Sequence, residues 1–225
     1  MTKDSELTDD SCLRDPAFSD FIIRDDHGAE YKVHRNVIST HSKYFARLCG
    51  GEFTESTAGA VTLHGDPLQA VKLMIDFFYT FNYYANPGCP SPSCVQVHAY
   101  MFTIADKYEI LDLKAHALRK FDDAVSSAYG ADIRGVMPYI YTQSPPDDDS
   151  LRQAAVRMWT RFNHAAAKSM DKAKWEALLT DCPAFGADLV LYMVSKAERK
   201  GWAWQSIGVC AASLALLRRL NRLRW

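Results

Sequence analysis

At 225 residues, with 48% hydrophobic and 12% aromatic content, the chain is long enough for one substantial domain and a smaller second one, and disorder is not its default. The formal net charge of −1 provides no global basic field, so binding to a nucleic-acid backbone is not expected. Six cysteines (Cys12, Cys49, Cys89, Cys94, Cys182 and Cys210), none in a Cys-x-x-Cys pair, read as free thiols of a reducing compartment and exclude a disulfide scaffold.

The first residues, "MTKDSELTDDSC", are acidic and polar where a secretory signal needs a basic start and an apolar run, so residues 1–17 read as a flexible segment and the location as nucleus or cytoplasm. Apolar and polar residues then alternate in "DFIIR" (Asp20–Arg24) and again in "AEYKVH" (Ala29–His34), two strands joined through Gly28 as a β-hairpin. After His34 the pattern turns helical. Val37 and Ile38, then Tyr44, Phe45 and Leu48, suit two short helices, with Ser39 or Ser42 as the N-cap of the second. "AVTLH" (Ala60–His64) is a third strand. Pro67 opens a central helix whose broad apolar stripe includes Ala70, Val71, Met74, Ile75, Phe77 and Phe78.

Three prolines and a glycine in "NYYANPGCPSPSC" (Asn82–Cys94) make an exposed loop. The run Val95–Val125 is helical with a break near Tyr108-Glu109. Its first half is expected to bury Val97, Tyr100, Met101 and Ile104, and its second half Leu111, Leu113, Ala117, Leu118 and Phe121. "SPPDDDS" (Ser144–Ser150) separates one further helix from a helical C-terminal third. The apolar run Ile207–Leu217 falls short of the ~20 residues a membrane-spanning helix needs. Beyond it, Leu216, Leu220 and Leu223 line one side of a basic helix that either closes the domain or docks on a membrane surface or partner.

Several separated motifs together resemble the BTB/POZ domain: "SD" before the first strand, "VHR" leading into a helix, "YFA", an acidic loop, "YTFNY" at a helix end and "ADKYEILDLK". The resemblance covers residues 18–126 and implies an α+β fold, a small mixed β-sheet flanked by a cluster of α-helices. Residues 127–225, with "WEALL" and "FGADLVLYMV", look like the all-helical extension of single-BTB proteins common in filamentous fungi. The resemblance further implies that Asp20 and Arg35 are the family's buried or half-buried acid and base. Sequence reasoning supports that pairing, because a lone buried charge would cost several kcal/mol, on the order of a domain's whole margin.

Chemical sites are sparse. His34 has no serine, cysteine or second carboxylate at triad spacing and reads as a hydrogen-bonded core histidine. Cys89, Cys94 and His98 are a Cys-x4-Cys-x3-His set with zinc-compatible donors but no visible fourth ligand, which makes zinc the lesser alternative to a loop with free thiols. Gly50-Gly51 lacks the lysine of a phosphate cradle. With no carrier for catalysis, no enzyme and no cofactor are expected, and recognition of proteins is the leading function. The family, as the resemblance implies, forms homodimers and presents a surface to a cullin-type ubiquitin-ligase scaffold or to transcriptional partners. Phe53-Thr54-Glu55 fits the hydrophobic-x-Glu pattern of cullin-binding members, and Tyr83 and Tyr84 extend the same expected partner-binding face. The first helix found in many dimeric members has only Leu7, Cys12 and Leu13 to represent it here, which weighs against dimerisation by that route.

Overall fold

In Phe21-Ile22-Ile23-Arg24 the first and third side chains are buried and the others half-exposed, the period of two that a pleated strand imposes. These residues are β1 (Phe21–Arg24) in a computed structural model that describes residues 18–51, 58–85, 92–127, 133–166 and 172–199. The chain divides into two compact units, Met1–Ala128 and Tyr129–Trp225.

In the first unit β2 (Glu30–Val33) pairs antiparallel with β1, Phe21 opposite Val33 and Arg24 opposite Glu30. Gly28 takes φ +80° in the connecting loop, a conformation side chains disfavour. Asp25 Oδ1 accepts from the main-chain N–H groups of His27 and Ala29, both at 2.9 Å, and so fixes the turn. On the other side of β1, β3 (Ala60–Thr62) pairs in parallel, which gives the mixed sheet its order β2-β1-β3. The strands are slightly shorter than the alternation predicts.

Two short helices follow the hairpin, α1 (Arg35–His41) and α2 (Lys43–Gly50), and Ser42 alone separates them. Its N–H closes α1 on Ile38 O at 3.1 Å, while its hydroxyl accepts from Phe45 N at 3.0 Å as the N-cap of α2 and donates to Tyr108 O at 2.6 Å. Helix α3 (Leu68–Thr80) buries Ala70, Val71, Leu73, Met74, Ile75, Phe77, Phe78 and Tyr79, apolar on almost every side and therefore central. Pro67 stands one position before the helix as its N-cap residue.

Helices α4 (Pro92–Lys107) and α5 (Leu111–Ser127) pack along each other, and the break between them falls at Glu109, in the left-handed region at φ 52°. Leu111 departs from expectation: it is 65% exposed. It is the first residue of α5, and Ile110 and Leu113, both fully buried, take the core positions beside it. Tyr100 and Leu118 are half-buried rather than buried. An aromatic cluster ties these helices to α2, with Phe45 stacked on Tyr108 at 5.6 Å and edge-on to Phe78 at 5.8 Å.

The second unit is helical throughout its described residues. A 3-10 turn (Ile133–Val136) leads into α6 (Met137–Gln143), and after the proline turn come α7 (Ser150–Ala166), α8 (Lys172–Asp181) and α9 (Pro183–Arg199). Phe185 of α9 is its aromatic centre, edge-on to Trp159 of α7 at 5.4 Å and to Tyr141 of α6 at 5.9 Å. The basic amphipathic helix expected around Leu216–Leu223 lies outside the described residues. Among the described residues no helix is long and apolar enough to cross a membrane.

Candidate protein-interaction surface

Asp20 and Arg35 meet where β1 begins and α1 starts, but each engages the other's main chain. The Asp20 carboxylate accepts from the Arg35 N–H at 2.8 Å, satisfying one of the N–H groups that the first turn of a helix leaves without an intrahelical acceptor. The guanidinium donates to Asp20 O at 3.3 Å and Cys49 O at 3.4 Å, and lies over the Phe21 ring at 4.9 Å. Asp20 is exposed and Arg35 half-buried, which corrects the expectation of a buried or half-buried acid. Water can solvate the carboxylate, so it needs no charge partner there. His34 is half-buried, with its N–H donating to Tyr79 Oη at 3.0 Å and its Nδ1 at 2.9 Å from the same hydroxyl.

The segment after α3 presents aromatic side chains in opposite directions. Phe81 closes the helix in the left-handed conformation, φ 53°, and is 57% exposed, its ring edge-on to His41 at 4.9 Å. A shallow cleft of about 280 Å³ lies beside it, lined by Val37, Thr40, His41 and Tyr79 among others. Of the two tyrosines expected on a partner-binding face, Tyr84 is 69% exposed and Tyr83 only 1%. The Tyr83 hydroxyl lies 2.8 Å from Nδ1 of buried His98, so this ring is a core side chain and cannot reach a partner without unfolding. Lys120 of α5 holds the segment by donating to Asn82 Oδ1 at 2.7 Å and to Tyr83 O, and its ammonium lies 5.5 Å from the centre of the Tyr84 ring. His116 adds a 3.1 Å contact from Nε2 to Asn82 Oδ1.

Burial is the main cause holding His98 down at about pH 4, with Lys120 and His116 adding to it. Burial likewise lowers His116 and Lys120. Cys94 Sγ donates to Ala85 O at 3.6 Å, while Cys89 lies outside the described residues. Among the described residues no cluster of three or more His, Cys, Asp or Glu side chains is placed to hold a metal. Phe53 and Glu55 also lie outside the described residues.

Sequence reasoning missed Phe81, although a signal was present: an aromatic stands at a helix C-terminus, where a left-handed residue is usually glycine or asparagine.

The family model of the BTB/POZ domain matches residues 10–124, just over half of the chain, and the protein belongs to that family. Kelch-like protein 21 of Rattus norvegicus is 36% identical over 63 residues, 28% of this chain and 11% of that protein. Kelch repeat and BTB domain-containing protein 8 of Xenopus tropicalis is 34% identical over 62 residues, 28% of this chain and 10% of that protein. The matched segment thus spans about a tenth of the length of these curated relatives. Among solved structures, the BTB domain of human gigaxonin is similar with a TM-score of 0.38 and 19% identity, over 48% of this chain and 81% of that one. The BTB domain of zebrafish PATZ1 follows at a TM-score of 0.37 and 16% identity, over 47% of this chain and 77% of that one.

Proposed function

We propose that the protein is an interaction adaptor whose first unit binds other proteins, with a cullin-type ubiquitin-ligase scaffold as the partner. The observation that carries the reading is the rigid aromatic segment after α3. There an exposed Phe81 sits in a backbone conformation phenylalanine disfavours, and an exposed Tyr84 is braced by Lys120. A non-glycine residue held in the left-handed region costs backbone energy, and such strain is found more often at binding and switch sites than elsewhere. Exposed aromatics on a fixed backbone lose little entropy when a partner covers them. Membership of the BTB/POZ family supports an interaction role, and the hydrophobic-x-Glu match at Phe53 and Glu55 favours the cullin.

The experiment is the mass in solution of the purified chain with and without a cullin N-terminal domain, for the parent and for Phe53→Ala with Glu55→Ala. A complex formed by the parent and lost in the double variant supports the reading; a complex that survives the change rejects the proposed contact. A parent that self-associates but ignores the cullin moves the protein to the second reading, a transcription-linked or general scaffold. Homodimerisation and residence in nucleus or cytoplasm belong to the proposal and are read from the same mass measurement and from a tagged chain in cells. Zinc at the Cys89, Cys94 and His98 set is the least favoured reading, since the His98 ring is buried in the core of the first unit.

A further inference from the structure

One turn of α5 sets three basic residues beside the segment that carries Tyr84: His116, Arg119 and Lys120, at the i, i+3 and i+4 spacing that puts side chains on one helix face. Lys120 donates to Asn82 Oδ1 at 2.7 Å and to Tyr83 O, with its ammonium 5.5 Å from the centre of the Tyr84 ring. Asn82 Oδ1 can only accept, so Nε2 of His116, 3.1 Å from it, carries the proton, and Nδ1 is left to accept from the Arg119 guanidinium at 2.7 Å. That bond pins the exposed Arg119 side chain by one nitrogen, while among the described residues its Nε and Nη1 have no acceptor within the chain. Asp112 and Asp123 stand a turn away on either side, yet among the described residues no carboxylate forms an ion pair with any of the three. Other cations of the first unit differ: Arg24 is paired with Glu30 at 2.7 Å, Arg47 with Glu109 and Lys107 with Asp66 at 2.8 Å. Here the neighbours repel instead. Burial, then the Lys120 and Arg119 charges, lower His116, and burial, then the Arg119 charge, lower Lys120.

We propose that this turn of α5 reads an acidic side chain of the bound protein, the partner's Asp or Glu carboxylate accepting from the exposed Arg119 guanidinium while an apolar neighbour of that residue lies against Tyr84. Charge complementarity selects the occupant: a carboxylate relieves the repulsion between Arg119 and Lys120, which have no acid of their own, and a neutral or basic segment does not. A guanidinium already held in place loses little freedom when it closes on a carboxylate, and its planar fork matches the two oxygens. The inference rests on the adaptor reading and deepens it by naming the chemistry that a partner brings to the Tyr84 side of the surface.

The test uses the full chain on an array of hexapeptides that combine Leu, Phe or Tyr with Asp or Glu at varied spacing, beside the same array with Asn and Gln in place of the acids. Binding is expected to concentrate on the acidic array. Arg119→Glu is expected to weaken it by about tenfold or more, the factor that one charge-assisted hydrogen bond represents. Because Arg119 is exposed and has no acid partner, that variant is expected to melt no lower than the parent. Tyr84→Ala, which removes the apolar contact, provides a second and independent loss. Equal binding to the amide array, or unchanged binding in either variant, overturns the proposal. Inorganic phosphate competing as effectively as the best peptides overturns the peptide as source and assigns the turn to a free anion. The mass with the cullin domain separates the two readings. Peptide binding that fails while that complex forms sinks only this inference, and peptide binding without the complex sinks only the cullin assignment.

Discussion

The Tyr83 hydroxyl lies 2.8 Å from Nδ1 of His98, and with both side chains buried the two form a polar bond inside an apolar junction of α3 and α4. The burial of His98 makes acid stability the first prediction. His98 titrates at about 4 in the folded chain against an ordinary 6.5, so above pH 6.5 both folded and unfolded states are neutral there. Below it the unfolded chain takes up a proton that the folded chain refuses, and stability falls until pH 4. The full loss is about 3 kcal/mol at 1.36 kcal/mol per pH unit, and lowered His116 adds in the same direction. Urea melts between pH 7.5 and 4 check this, and His98→Gln should flatten the profile over that window.

Adjacent tyrosines should behave as opposites. Tyr83→Phe removes the hydroxyl facing His98 and leaves a buried ring nitrogen without its partner, at a cost of about 1–3 kcal/mol. Tyr84→Ala, at a position 69% exposed, should change stability by less than ~0.5 kcal/mol yet weaken the partner complex. Thermal melts and the mass measurement read the two effects separately, and a Tyr84→Ala chain that binds normally removes Tyr84 from the contact.

Phe81→Gly should raise stability, by about 1 kcal/mol, because glycine occupies the left-handed cap without a Cβ penalty. Lost edge contacts with His41 and Phe77 offset part of that gain. Partner binding should fall at the same time. A less stable Phe81→Gly chain would show that the ring contacts outweigh the backbone strain.

Ser42→Ala should cost about 1–2 kcal/mol, since it removes the cap of α2 and leaves Tyr108 O without its 2.6 Å donor. Ser42→Thr keeps the hydroxyl and should recover part of the loss in the same denaturant titration.

Much of this architecture was legible because its signals are local. Alternation marked the hairpin, the serine between two apolar clusters marked the α1–α2 junction, and the all-round apolar stretch marked α3 as central. What escaped has a common cause in geometry beyond the local period. Tyr83 and Tyr84 follow a left-handed residue that redirects the chain, so neither helical nor strand spacing tells which ring turns inward. Asp20 and Arg35 do approach, but sequence cannot reveal that the contact runs through main-chain atoms.

Parallel pairing of β3 with β1 sets an order of events. Ile23 meets Tyr31 across a closure of 8 residues (31 − 23) but meets Val61 only across 38 (61 − 23). The longer closure carries roughly 1.4 kcal/mol more loop entropy, so the hairpin closes at the lower cost of the two pairings. Nascent chains emerging from a ribosome would thus present an incomplete sheet edge along β1 until Val61 arrives, a transient vulnerability that the native sheet itself conceals.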